Sequence, residues 1–467
     1  MTPVRRTGTL DDMRRLISVL APLAMILVAA CSSAPAAPAG RVHHTGSSRA
    51  ATTFSDWPMW HHDARHTGRV AHPAGSPLHR AWSQDLGNAV YGEPLVVGDT
   101  LIAATEGNQV VGMNATTGHL RWSTGLGTPQ ARSGLPCGDI DPLGITGTPA
   151  YDQATGSVFV VAETDGGHHT LWALNAANGN KRWHRSLDVL PDRNRSAEQQ
   201  RSALLVANGR IIVTFGGLAG DCDNYVGYAT STSTSGSGRT FHYAVPTARE
   251  AGMWATGGPV LGANGHVYAA SGNGAELNGT WDKSDSVTEL TAKRLHRLSV
   301  FAPGTWRDDN QQDLDLGSSS PASVPGVHRI VIAGKRGTVY LLRQHFHGVG
   351  SAVAKLDGCT AFGGPAVTGR TVLMPCLGEH QVRALHVGAH GMHWVWSANG
   401  LYSSPVVAGS RVYVADRDTG DLVVLRLSNG SVVQRINAGA LTHFPSSVVD
   451  GGFVFVPTLT GVAAFHG

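Results

Sequence analysis

The chain has 467 residues, of which 59 are Gly and 23 are Pro, with only 15% charged and a net charge of +3. With no basic cluster beyond its N-terminal leader, it has none of the electrostatic footprint of a nucleic-acid-binding protein, so nucleic acid is excluded as a partner. Long amphipathic helical patterns are almost absent, and glycine with β-branched residues dominates, which points to an all-β fold.

The N-terminus reads as processing signal rather than fold. Arg14 and Arg15 precede the apolar run Leu16–Ala30, which is too short for a membrane span of roughly 20 residues. Leu27, Val28, Ala29 and Ala30 then lead into Cys31. A basic region, an apolar region and small residues before a break describe a secretory signal. Small residues followed by Cys resemble a bacterial lipobox, which implies that residues 1–30 are a lipoprotein signal and that Cys31 carries the lipid. Residues 31–56, rich in Ala, Pro, Ser and Gly, form a tether that cannot build a core. The expected location is extracytoplasmic, with the membrane as a partner through Cys31.

Beyond the tether, one β-hairpin is written twice, as MNATTGHLRW (Met113–Trp122) and LNAANGNKRW (Leu174–Trp183). Gly118 and Gly179 supply the positive φ of the turn. Trp122 and Trp183 bring a large apolar surface to one place in each unit. A wider signal surrounds it: a small residue, often Pro, then an apolar strand, a Gly turn and a second apolar strand. It starts at Tyr91, Gly147, Ser202, Gly257, Ser319, Gly363, Ser403 and Phe444. Eight copies at roughly 40–60-residue spacing predict an eight-bladed β-propeller over residues 57–467, four strands to a blade. The last copy ends at Gly467 without its fourth strand, and His79–Leu86 supplies a spare strand before the first. The N-terminal strand should therefore complete the last blade and close the ring.

Four cysteines remain after Cys31: Cys137, Cys222, Cys359 and Cys376. An even number outside the cytoplasm suggests two disulfides, for which three pairings exist. Cys359–Cys376 is favoured because both fall in one strand-turn-strand unit, leaving Cys137 for Cys222.

The repeats, with the opening Trp57-Pro58-Met59-Trp60 through Asp63 and His66-Thr67-Gly68, resemble quinoprotein-like propellers, a family named for pyrroloquinoline quinone (PQQ). The family holds both dehydrogenases and non-catalytic scaffolds, including outer-membrane-assembly propellers. In its enzymes the quinone lies on the propeller axis, on a Trp floor and under a vicinal disulfide. Calcium held by Glu and Asn polarises it, and an Asp is the base. The resemblance implies Trp254 as floor, Asn273 as calcium ligand, Asp315 or Asp313 as base and Lys335 as contact to the quinone. It departs at the lid, where Leu135-Pro136-Cys137-Gly138-Asp139 has one Cys, and at the calcium Glu, for which GGLAGDCDNYVGY offers Asp221 or Asp223.

Histidines 61, 62 and 66 fit no strand or helix face and read as surface or docking residues, as do His168, His169, His345 and His347. The inserts Asn273–Asp285, with Trp281, and Ser231–Gly238, which reads as mobile, are candidate binding loops; 188–202 reads as holding one short helix. The reading is of a lipid-anchored binding or scaffold propeller of the cell envelope, with an envelope protein or a glycan as partner and no cofactor. The alternatives are a quinone- and calcium-dependent dehydrogenase of alcohols or sugars, and a carbohydrate-binding propeller using Trp281.

Overall fold

A computed structural model describes residues 52–400 and 403–467. The signal over 1–30, the lipidation site Cys31 and the tether as far as residue 51 lie outside the described residues.

Eight antiparallel sheets follow one another along the chain, and each of the eight repeat starts opens one of them. Blades 1 to 8 occupy residues 95–125, 150–186, 205–244, 260–302, 322–357, 366–399, 406–437 and 448–466. In blade 1, Leu95–Val97 is innermost, followed outward by Thr100–Ala104, Gln109–Asn114 and Leu120–Gly125. The second strand of each blade reads as a nearly continuous apolar run because neighbouring blades cover both its faces. Ser157–Thr164 is buried throughout except at Thr164. The outermost strands alternate instead, as in Lys181–Ser186, because one face meets solvent. Cores form between blades: Ile102 and Val110 of blade 1 pack with Val158 and Val160 of blade 2. Each such fully buried aliphatic side chain stabilises by about 1.5–3 kcal/mol over exposure.

The ring closes as the sequence requires. His79–Asp85 pairs antiparallel with Gly461–His466, from His79 opposite His466 to Asp85 opposite Gly461, and becomes the outermost strand of blade 8. Ala81 is passed over in the register, a bulge that turns the strand at its start.

The segment before that strand has its own task. Residues 57–70 run beneath the axis and hydrogen-bond to the innermost strands in turn. Trp57 pairs with Val96, Pro58 O accepts from Tyr151 N at 2.6 Å, and Ala64 O accepts from Leu261 N at 2.8 Å. Thr67 O and Gly68 O each accept at 2.7 Å, from Val367 N and Val407 N. The segment is a plug that shuts one end of the axial channel. His61 and His66 are therefore buried within it, not at the surface, and Trp60 stacks on His61 with centroids 3.4 Å apart.

Three further expectations are refined. Ser231–Ser233 belongs to a strand of blade 3, and Gly236 lies under Trp183, so this stretch is built into the blade. The short helix expected in 188–202 is the 3-10 turn Arg195–Ala197. His169, read as a surface residue, is fully buried between Glu163 and Asp188. Both disulfides form as expected, Cys137 with Cys222 and Cys359 with Cys376.

Candidate functional site

At the face opposite the plug, the axis opens into a cavity of about 530 Å³. Its walls come from loops all around the ring: Asp139, Arg201, Trp254, Lys335, Phe362 and Phe444 mark its circumference.

One register places the innermost residues. Four positions before the innermost strands stand Tyr91, Thr146, Arg201, Thr256, Ser318, Phe362 and Phe444, while the seventh copy has Tyr402 in its sequence at that position, outside the described residues. Tyr91, Thr146, Arg201, Thr256 and Phe444 meet around a narrow void below the cavity, over Trp60. This register is legible in the repeat: aligning the eight copies shows Arg201 as the one charged residue at that position.

Four of the residues implied by the resemblance converge on the other wall, with Asp313 beside them. Trp254 borders the cavity and lies against bare backbone, since a side chain at Gly252 would meet its Cδ1 at 2.5 Å. The Lys335 ammonium sits 6.0 Å from the Trp254 ring centroid and donates to Asp313 Oδ1 at 2.9 Å. It also lies 2.6 Å from Asp315 Oδ2. Asn273 donates its backbone N–H to Asp315 Oδ1 at 2.7 Å and its Nδ2 to Asp313 Oδ1 at 2.9 Å. Burial pushes the Asp315 carboxyl up to about 6, against the pull of Lys335, whose own pKa is raised by the two carboxylates despite burial. Behind them Asp285 is fully buried, accepts from Leu316 N at 2.6 Å and is pushed well up by burial.

Asp223 does not join this group. It accepts from Asn194 Nδ2 at 2.6 Å on the outer side of its loop, and the carboxylate that reaches the cavity is Asp221, which takes the Tyr225 hydroxyl. The two lie two residues apart, both at positive φ, so the loop turns them to opposite sides.

The mouth is set by the Cys137–Cys222 bond. It ties the segment around Arg132–Gly134 to the wall loop, and Gly138 N donates to Ala219 O at 3.1 Å. Leu135, Ile140, Leu143 and Leu218 pack around it. Across the mouth Asp139 faces His443 at 3.6 Å. Trp281 stands apart in its insert, with Lys283 Nζ 4.2 Å over its ring and its indole N–H given to Ser284 O.

Comparison with known proteins bears on the fold. Residues 79–297 match the family described as outer membrane protein assembly factor BamB. A quinohemoprotein alcohol dehydrogenase from Comamonas testosteroni superposes with TM-score 0.67, over 88% of this chain and 80% of its own, at 17% identity. The chain has the fold of an eight-bladed propeller. BamB from Moraxella catarrhalis follows the propeller with TM-score 0.56, over 84% of this chain and 98% of its own, at 16% identity. A europium-containing methanol dehydrogenase gives 0.67, over 87% and 90%, at 15% identity. At these identities the likeness is one of fold. No curated protein matches the chain.

The propeller's residues do not fit a calcium-held quinone. Asn273 Oδ1 is buried without a hydrogen-bond partner and is a suitable hard donor. The nearby carboxylates, however, are both taken by Lys335, whose ammonium supplies the positive charge there. Among the described residues no group of three His, Cys, Asp or Glu side chains is placed to hold a metal.

Proposed function

We propose that this chain is a lipid-anchored, extracytoplasmic binding propeller of the cell envelope that takes its ligand or partner at the open end of the axis. The observation that carries this reading is the one-ended cavity with a stapled mouth. Residues 57–70 shut one end, and Cys137–Cys222 fixes the rim of the other, which supports a preformed site. Such preorganisation favours binding, because little is left to order when a partner arrives. Two disulfides support a location outside the reducing cytoplasm. The lipid on Cys31 is the proposed anchor.

The reading is tested by crosslinking from a photoreactive residue at Asp139, in cells and in the full chain. Capture of an envelope protein or glycan supports it; no adduct in any envelope fraction overturns it. The rival, a quinone- and calcium-dependent dehydrogenase, draws on the convergence of Trp254, Asn273, Asp315 and Lys335. Adding PQQ with Ca²⁺ to purified protein decides it: a saturable absorbance change and thermal shift would establish the rival and overturn our proposal.

A further inference from the structure

We propose that the inner end of the axial cavity is a receptor for the carboxylate of a small aromatic acid, with Arg201 as the residue that grips it. This rests on the binding reading above and names the ligand of that same site.

The argument begins with a charge that the protein leaves unmatched. Arg201 makes no ion pair among the described residues. Its Nη2 reaches His443 O at 3.5 Å and its Nε is buried without a hydrogen-bond partner. The guanidinium lies 5.2 Å from the Phe444 ring centroid and 5.8 Å from that of Tyr91. A planar fork of five donors, partly desolvated between aromatic faces and left with donors to spare, is matched in geometry by a carboxylate. Burial lowers the Arg201 pKa, the sign expected of a cation without an adequate counter-charge. The second cation of the cavity stands in contrast, since Lys335 is neutralised by Asp313 and Asp315.

The walls define the rest of the ligand. Phe444 stacks on Phe362 with centroids 5.9 Å apart at 6°, and Trp254 borders the same space. Three aromatic side chains around one cavity suit a flat apolar body. A cavity of about 530 Å³ holds one drug-sized molecule. Toward the mouth the charge changes sign, with Asp139, Asp221 and Asp313 on the lining. An acidic rim over one cation that lacks an ion pair disfavours phosphates and polycarboxylates and admits a ligand with one negative charge.

The test uses titration calorimetry on the full chain at pH 7 with 3-phenylpropionate, its neutral amide, and inorganic phosphate. The expected result is saturable binding of the acid, at least tenfold weaker binding of the amide, and none of phosphate. R201Q should bind the acid at least tenfold more weakly, and R201K should recover part of the loss. Without ligand, R201Q should melt no lower than the parent, because it removes a buried charge that lacks a partner; a clear fall in melting temperature would make Arg201 a structural residue and overturn the proposal. Equal binding of acid and amide, or no binding of the acid, would also overturn it. Asp139 crosslinks to an envelope partner in that last case would show that the binding reading stands and only this inference has failed.

Discussion

The indole of Trp122 lies across Gly179, so close that a methyl group there would meet its Cε3 at 2.4 Å. These are the tryptophan of one copy of the repeated hairpin and the turn glycine of the next. The relationship recurs: Trp82 covers Gly118, Trp183 covers Gly236 and Trp396 covers Gly430, at 2.8, 2.6 and 2.5 Å by the same measure. Trp82 and Trp396 also give their indole N–H to backbone carbonyls of the covered turns, at 3.1 and 2.9 Å. The Arg-Trp hairpin thus encodes blade-to-blade contact. Gly179→Ala should lose about 2–4 kcal/mol, combining αL strain with overpacking. Gly209→Ala is the control, with φ of +68° and nothing within 4 Å of the added methyl, and should show the strain alone. Equal losses in urea denaturation would refute the packing role.

The plug predicts a pH dependence. Glu93 is buried and accepts from Trp57 Nε1 at 2.5 Å and His61 N at 2.9 Å, while its Oε2 has no partner. Burial raises its carboxyl to about 8, against those hydrogen bonds. A raised folded pKa gives stability that is complete below the unfolded value near 4.5 and is lost as pH rises through 8. The Glu93→Gln variant, with nothing to ionise, should show a melting temperature that falls less between pH 5 and 8. One proton accounts for up to about 1.4 kcal/mol per pH unit. Parallel melting curves for the two proteins would reject this role.

His169 makes the opposite kind of pair. Its Nδ1 lies 3.1 Å from Asp188 Oδ1, on the loop after the second blade, and its Nε2 3.3 Å from Glu163 Oε2 within that blade. Burial alone would lower its pKa, but the two carboxylates outweigh this and raise it to about 10. It is therefore a buried imidazolium, whose stabilisation is full below pH 6.5 and lost as pH rises through 10. His169→Gln leaves two carboxylates without their cation and should cost about 3–5 kcal/mol. The gap should widen from pH 5 to pH 6.5, where the parent's imidazolium contribution is constant, because protonation of Glu163 relieves the variant at low pH. A gap independent of pH would show that the loss is packing.

The ring of blades was legible because it is written as a period. Eight starts, a missing last strand and a spare first strand leave little freedom, and Cys359 and Cys376 lie close together around the start of blade 6. Trp254, Asn273 and Lys335 are reached through the family resemblance, and the fold brings them near one another. Arg201 stands out as the one charge at its position in the aligned repeat, but its meeting with Tyr91 and Phe444 is not legible, because the ring brings together residues more than 100 positions apart in sequence. Asp221 and Asp223 could not be told apart, since the turn between them is set by backbone φ rather than by residue type. His169 was misread for a similar reason: its partners Glu163 and Asp188 sit on the neighbouring strand and the following loop.

The acidic pair of the cavity gives a test at the site itself. Lys335→Met removes the cation that Asp313 and Asp315 share. The Asp315 carboxyl, already at about 6, should then rise further and be largely protonated at neutral pH. Its loss of stabilising charge pairing appears as a steeper fall in stability above pH 6 than in the parent. Carboxyl chemical shifts followed through a titration report the pKa directly, and an unchanged Asp315 would show that Lys335 does not control it.

The two disulfides should differ in what they hold. Cys137–Cys222 closes 85 residues and Cys359–Cys376 closes 17. In the chain-entropy account their removal costs about 4–5 and about 3 kcal/mol respectively. The first also anchors a rim segment that reaches the wall loop through Gly138 and a small apolar cluster, whereas the second ties the short connection before blade 6 to a strand already held in its ladder. The Cys137→Ser/Cys222→Ser variant should therefore keep the propeller, lose the larger share of stability, and free residues 131–143 to rapid hydrogen exchange. The Cys359→Ser/Cys376→Ser variant should leave exchange at the mouth unchanged. If the rim stays protected once Cys137 and Cys222 are gone, the staple does not shape the mouth, and the preorganised site it is invoked to explain loses its cause.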